Sequence, residues 1–97
     1  MNIQGYNFAG PWLLGQNFID VPGIYVVYNN NLWLDVGETD KLGQRINSNA
    51  HERQPQWISN SNGLQIWIAF LEVGDQNTRF FIESELRRSL SPVCGER

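Results

Sequence analysis

Two short apolar segments separated by three asparagines limit what this chain can fold into. Gly23-Ile24-Tyr25-Val26-Val27-Tyr28 is β-branched and aromatic and begins just after Pro22, which is the pattern of a strand. Asn29-Asn30-Asn31 follows, and Asn tolerates the left-handed backbone of a tight turn. Leu32-Trp33-Leu34-Asp35-Val36-Gly37 reads as a second strand. So short a connection makes the two an antiparallel hairpin.

The rest of the chain is read around that hairpin. Residues 1–22 mix aliphatic and aromatic residues with Gly5, Gly10, Pro11, Gly15 and Pro22, which predicts an irregular arm covering part of the core with Trp12, Leu13 and Leu14. Thr39-Asp40 offers cap oxygens for a helix starting near Lys41, with Leu42 and Ile46 on one face. Residues 51–63 are polar and contain Pro55, which predicts a loop anchored by Trp57-Ile58. Leu64 to Val73 is apolar except at Gln65 and Glu72, the mark of a strand covered on both faces. A helix is expected from about Thr78 to Leu90, stopped by Ser91-Pro92. The expected fold is a small α/β domain: a three-stranded sheet with its hairpin first, flanked by two or three helices. At 97 residues the chain has room for one core. Residues 1–97 are expected to be a single domain, with 1–22 as the arm and 23–95 as the motif-bearing part.

Composition narrows the chemistry. Cys94 is the single cysteine, so an internal disulfide and a multi-cysteine zinc site are excluded. No apolar run approaches the roughly 20 residues of a membrane span. The first five residues, Met1-Asn2-Ile3-Gln4-Gly5, have neither a basic region nor a signal-like apolar core, so a cytoplasmic location without membrane contact is expected. Lys plus Arg is 7 against 10 Asp plus Glu, a net charge of −3. That balance argues against a nucleic-acid partner, because neutralising phosphates supplies most non-specific affinity. Yet six of the seven cations are Arg, whose planar fork suits phosphate or carboxylate. There is no phosphate-binding Gly loop ahead of Lys-Ser or Lys-Thr, no metalloprotease His pair and no serine elbow. Arg79, Glu83 and Arg87 stand at i, i+4, i+8, which by itself describes a surface ion-pair ladder.

Gly23-Ile24-Tyr25 followed ten residues after the Tyr by Asp35-Val36-Gly37, then a cap and a helix carrying Arg45, resembles the GIY-YIG nuclease superfamily. The resemblance runs from about Val21 to Gly95. Arg45 falls where that family carries its catalytic Arg, and Glu83, in Glu83-Ser84-Glu85-Leu86 ahead of Pro92, where it carries its metal-binding Glu. The chain departs from the family in three places. Asp35 replaces the second signature Tyr, Asn49 stands four residues after the Arg where His or Tyr is usual, and Gly95 stands where Asn is usual. A two-residue insertion between Asn47 and Ala50 would bring His51 to the second of these positions.

The resemblance implies a metal-dependent endonuclease hydrolysing phosphodiester bonds, with DNA as the expected substrate. Glu83 would present a carboxylate to one Mg²⁺ or Mn²⁺, with water and phosphate completing the shell. Arg45 would hold the scissile phosphate. Tyr25 would orient or deprotonate the attacking water, while His51 is the better general base because it titrates near neutrality. Asp35 could accept a proton, add a second metal carboxylate, or mark the loss of the usual base. Tyr25, Arg45 and Glu83 are expected to converge on one concave surface. The alternative is a catalytically weakened domain that binds nucleic acid, a protein partner or a second copy of the chain; a scaffold with no nucleic-acid role is the third reading.

Overall fold

The computed structural model describes residues 1–46 and 54–94. In chain order the elements are β1 (Asn2–Ile3), β2 (Tyr6–Asn7), β3 (Ala9–Leu13), β4 (Gly23–Tyr28), β5 (Trp33–Thr39), α1 (Leu42–Ile46), α2 (Gln54–Asn60), β6 (Trp67–Glu72) and α3 (Gln76–Leu90). β1 and β2 form a two-stranded ribbon, and the other strands make one sheet in the order β3-β6-β4-β5. Every pairing in that sheet is antiparallel.

The β4–β5 hairpin forms as the sequence predicts, with Tyr25 opposite Gly37 and Val27 opposite Asp35. Its turn is closed by Asn29, whose Oδ1 accepts from the backbone N–H of Asn31 and of Leu32, both at 2.8 Å. β4 is central because its other side pairs with β6, Tyr25 standing opposite Phe70. Alternation along β4 then sorts two cores. Tyr25 and Val27 join Leu42, Ile46 and Trp57 on the side of α1 and α2. Ile24 and Val26 join Ile82, Leu86 and Leu90 on the side of α3.

The sheet has four strands, not three. The arm expected to be irregular supplies β3, whose Trp12 pairs with Ile68 and whose Leu13 pairs with Trp67. Pro11 is tolerated there because β3 is an edge strand, where one side of the backbone needs no ladder bond. Ile3 of the ribbon, and Phe8 just after the ribbon, pack into the α3-side core. The Tyr6 hydroxyl donates to Glu85 Oε2 on α3 at 3.1 Å. Its pKa is pushed up by burial first and by that carboxylate second.

The stretch expected to be a loop holds α2. Pro55 sits in its first turn, where the missing N–H costs nothing, and Trp57 is its buried anchor. The third long strand is shorter than expected: Leu64 N–H closes a turn onto Ser61 O, and β6 begins only at Trp67.

Helix ends are held from a distance. The first N–H groups of α1 have no partner inside the helix. Leu42 N–H donates to Val21 O, Gly43 N–H to Ile19 O, and Gln44 N–H to Asp20 Oδ1 at 2.7 Å. Thr39 Oγ1 accepts from Lys41 N–H just ahead of it. The arm thus caps the helix that bears Arg45. α3 has a local cap: Asp75 Oδ2 accepts from Thr78 N–H at 2.8 Å and from its hydroxyl at 2.6 Å. Ser91 ends that helix in the left-handed region at φ 49°. No helix among the described residues is long and apolar enough to cross a membrane.

Candidate functional site

β5 is the outer strand beside which α3 lies, and the charged residues of the signature segments meet along that border. Asp35 is fully buried. Its Oδ2 accepts from Trp57 Nε1 at 2.9 Å, and its Oδ1 accepts from Val36 N–H at 2.8 Å and from Arg87 Nη2 at 2.7 Å. Arg87 also donates to the Val36 carbonyl and to Cys94 O, closing part of the open edge of β5. Val93 and Cys94 donate their N–H groups to Trp33 O and Leu34 O on that same edge. Asp35 therefore ties α2, α3 and β5 together. The expected roles of taking a proton or a second metal ion would need these oxygens, which stand at 0% exposure among three donors.

Tyr25 is likewise fully buried. Its ring crosses the face of Gly37, and a Cβ at Gly37 would collide with Tyr25 Cζ and Oη. Trp57 approaches Tyr25 edge-on at 6.3 Å between ring centroids. Tyr25 is thus placed beneath the surface, whereas Arg45 and Glu83 are partly exposed. The Gly of the second signature is explained by packing: only a residue without a side chain leaves room for this ring.

Arg45 is half-buried near the end of α1 and lines a groove of about 470 Å³ together with Lys41, Gln44, Glu38, Thr39 and Asp40. Glu38 Oε1 accepts from Arg79 Nε at 2.9 Å, and Arg79 also donates to Val73 O and Gly74 O. Arg79 is on α3 four residues before Glu83, about 6 Å along the helix axis at 1.5 Å per residue. Glu38 therefore joins the Arg45 groove to the charged face of α3. Glu83 Oε2 lies 3.9 Å from Arg87 Nε, and its side chain keeps 25% exposure.

The ladder read from sequence takes a different course in the fold. Arg79 and Arg87 make their close bonds to Glu38 and Asp35 of β5, and only the longer Arg87–Glu83 contact stays within the helix. The Glu38–Arg79 and Trp57–Asp35 bonds were not legible in the sequence, because each partner is far along the chain. Arg79 was legible only as a member of a surface ladder.

The donor set suits a hard divalent ion held by one carboxylate. Glu83 is partly exposed and offers oxygen, whereas Asp35 is enclosed. Among the described residues no three His, Cys, Asp or Glu side chains gather into a cluster. Water and a phosphate would have to complete such a shell. His51, Asn49 and Gly95 lie outside the described residues. Comparison of the chain with protein-family models, with curated proteins and with solved structures gives no match.

Proposed function

We propose that the chain is a GIY-YIG-like, metal-dependent endonuclease acting on DNA. The observation that carries the reading is the placement of Arg45. The helix after the second signature strand is capped by the arm so that Arg45 and Lys41 line a polar groove, and Glu38 links that groove to the α3 face bearing Glu83. The central hairpin strand, its partner and the strand after the helices would correspond to the family's three strands, with β3 as an addition from the arm.

In this reading Arg45 binds the scissile phosphate through its guanidinium fork, and Lys41 holds a neighbouring phosphate as a point charge. Glu83 would hold one Mg²⁺ or Mn²⁺. When bound, such an ion polarises the phosphate and stabilises the leaving oxygen. Burial of the Tyr25 hydroxyl favours His51 over Tyr25 as the group that takes the proton from the attacking water. Tyr25 and Asp35 act one step removed, by fixing Gly37 and Arg87. A plasmid-nicking assay with Mg²⁺ and Mn²⁺, run beside Glu83→Gln, tests the reading.

The enclosure of Asp35 favours one alternative, a domain that keeps the groove and binds nucleic acid or a protein partner with little or no cleavage. Nucleic-acid binding by the wild type without metal-dependent nicking would select it.

A further inference from the structure

We infer that the N-terminal arm builds a base-binding pocket beside the Arg45 groove, which takes an unstacked nucleobase of a single strand; the inference rests on the nucleic-acid reading above. The pocket has a volume of about 360 Å³, within the rough range of 300–1,000 Å³ of small-ligand sites. Trp12, Phe18 and Phe70 give it aromatic walls, and Gln16, Asn17 and Glu72 bring amide and carboxylate groups to it. Trp12 and Phe18 meet edge to face, with ring centroids 5.8 Å apart and planes at 83°. Such walls suit a flat heterocycle, and the amides and carboxylate suit the donors and acceptors on its edge.

Position supplies the reason for a nucleotide. Gly23 of the central strand pairs with Thr39 on one side and Glu72 on the other. Thr39 belongs to the Arg45 groove and Glu72 to the pocket, so the two sites are two strands apart, about 10 Å. α1 walls both: Gln44 and Arg45 line the groove and Leu42 the pocket. The groove holds Lys41 and Arg45 beside Asp40 and Glu38, the latter paired with Arg79, and these two cations next to an aromatic pocket match a phosphate joined to a planar base. Glu72 accepts hydrogen bonds, so bases bearing an amino group are favoured over thymine. A base paired inside a duplex cannot enter the pocket, which makes single-stranded or unpaired nucleotides the preferred ligand.

The test is fluorescence anisotropy without divalent metal, using labelled oligodeoxycytidylate, oligothymidylate and a duplex of equal length. The wild type should bind oligodeoxycytidylate more tightly than either of the others. Trp12→Leu should weaken single-strand binding by roughly 5- to 150-fold, the loss of one stacked base, and leave the duplex unaffected. Glu72→Gln, at an exposed strand end, should reduce the preference for cytosine over thymine. If Trp12→Leu does not fold, Glu72→Gln decides. Unchanged binding in folded Trp12→Leu, unchanged base preference in Glu72→Gln, or no binding of either single strand by the wild type overturns the pocket. Metal-dependent nicking with Trp12→Leu indifferent removes the pocket and leaves the nuclease. Trp12-dependent single-strand binding without nicking removes the nuclease and leaves the pocket.

Discussion

Arg87 Nη2 donates to Asp35 Oδ1 at 2.7 Å, joining an arginine side chain of 10% exposure to a carboxylate of 0% exposure. Trp57 Nε1 reaches the other oxygen of the same carboxylate. Three elements that are far apart in sequence share one buried charge pair. Removing one partner of such a pair leaves the other charged and enclosed, which typically costs about 3–5 kcal/mol. Asp35→Ala should therefore lose several kcal/mol in urea unfolding, with the Trp57 environment changed in the native fluorescence. A loss below about 1 kcal/mol would show that the pair is not buried as described.

Gly37→Ala places a methyl group into the Tyr25 ring, which is held between the sheet and Trp57. Overpacking of a core typically costs about 1–3 kcal/mol. The variant should lose at least that much stability. Adding Tyr25→Leu should recover part of it, because the two positions share one space and their effects do not add. Strict additivity in the double-mutant cycle would contradict the contact.

Local pattern carried the hairpin and the last helix. The β-branched and aromatic run Gly23–Tyr28 and the 3.6-residue period around Ile82, Leu86 and Leu90 reflect local backbone preferences, so sequence suffices for them. β3 was hidden because Gly10 and Pro11 read as breakers, and only the neighbouring β6 makes a strand of them. Pro55 similarly masked α2, although a first-turn proline is compatible with a helix. At the site, Arg45 and Glu83 were singled out through the family resemblance. The partners of Asp35 and Glu38 were not, since a salt bridge across 52 or 41 residues leaves no local trace.

The α3 cap makes a prediction in acid. Hydrogen bonds from the Thr78 hydroxyl and N–H hold the Asp75 carboxyl below its ordinary value of 3.8. A depressed carboxyl contributes stability that is fully present above the ordinary value and is lost as pH falls through the lower native one. Asp75→Ala should lower the melting temperature at neutral pH. The gap from wild type should shrink as pH falls below 3.8. A gap independent of pH would show that the cap is not a charged carboxylate.

Arg45 is assigned to a phosphate. Arg45→Ala should weaken DNA binding across all sequences and reduce the slope of log affinity against log salt by about 1. A thermal melt of the variant confirms that it folds, so that the change in binding is read on folded protein. An unchanged salt slope would remove Arg45 from the interface.

Metal-dependent cleavage in the proposed nuclease requires Glu83, and one measurement addresses it. Supercoiled plasmid is incubated with wild type and with Glu83→Gln in Mg²⁺, in Mn²⁺ and with chelator, while thermal melts confirm that both proteins fold. Nicking by the wild type should require the metal and fall by at least about 10²-fold in folded Glu83→Gln. Equal nicking by the two proteins, or none by the folded wild type on supercoiled, single-stranded and branched DNA, would contradict this account.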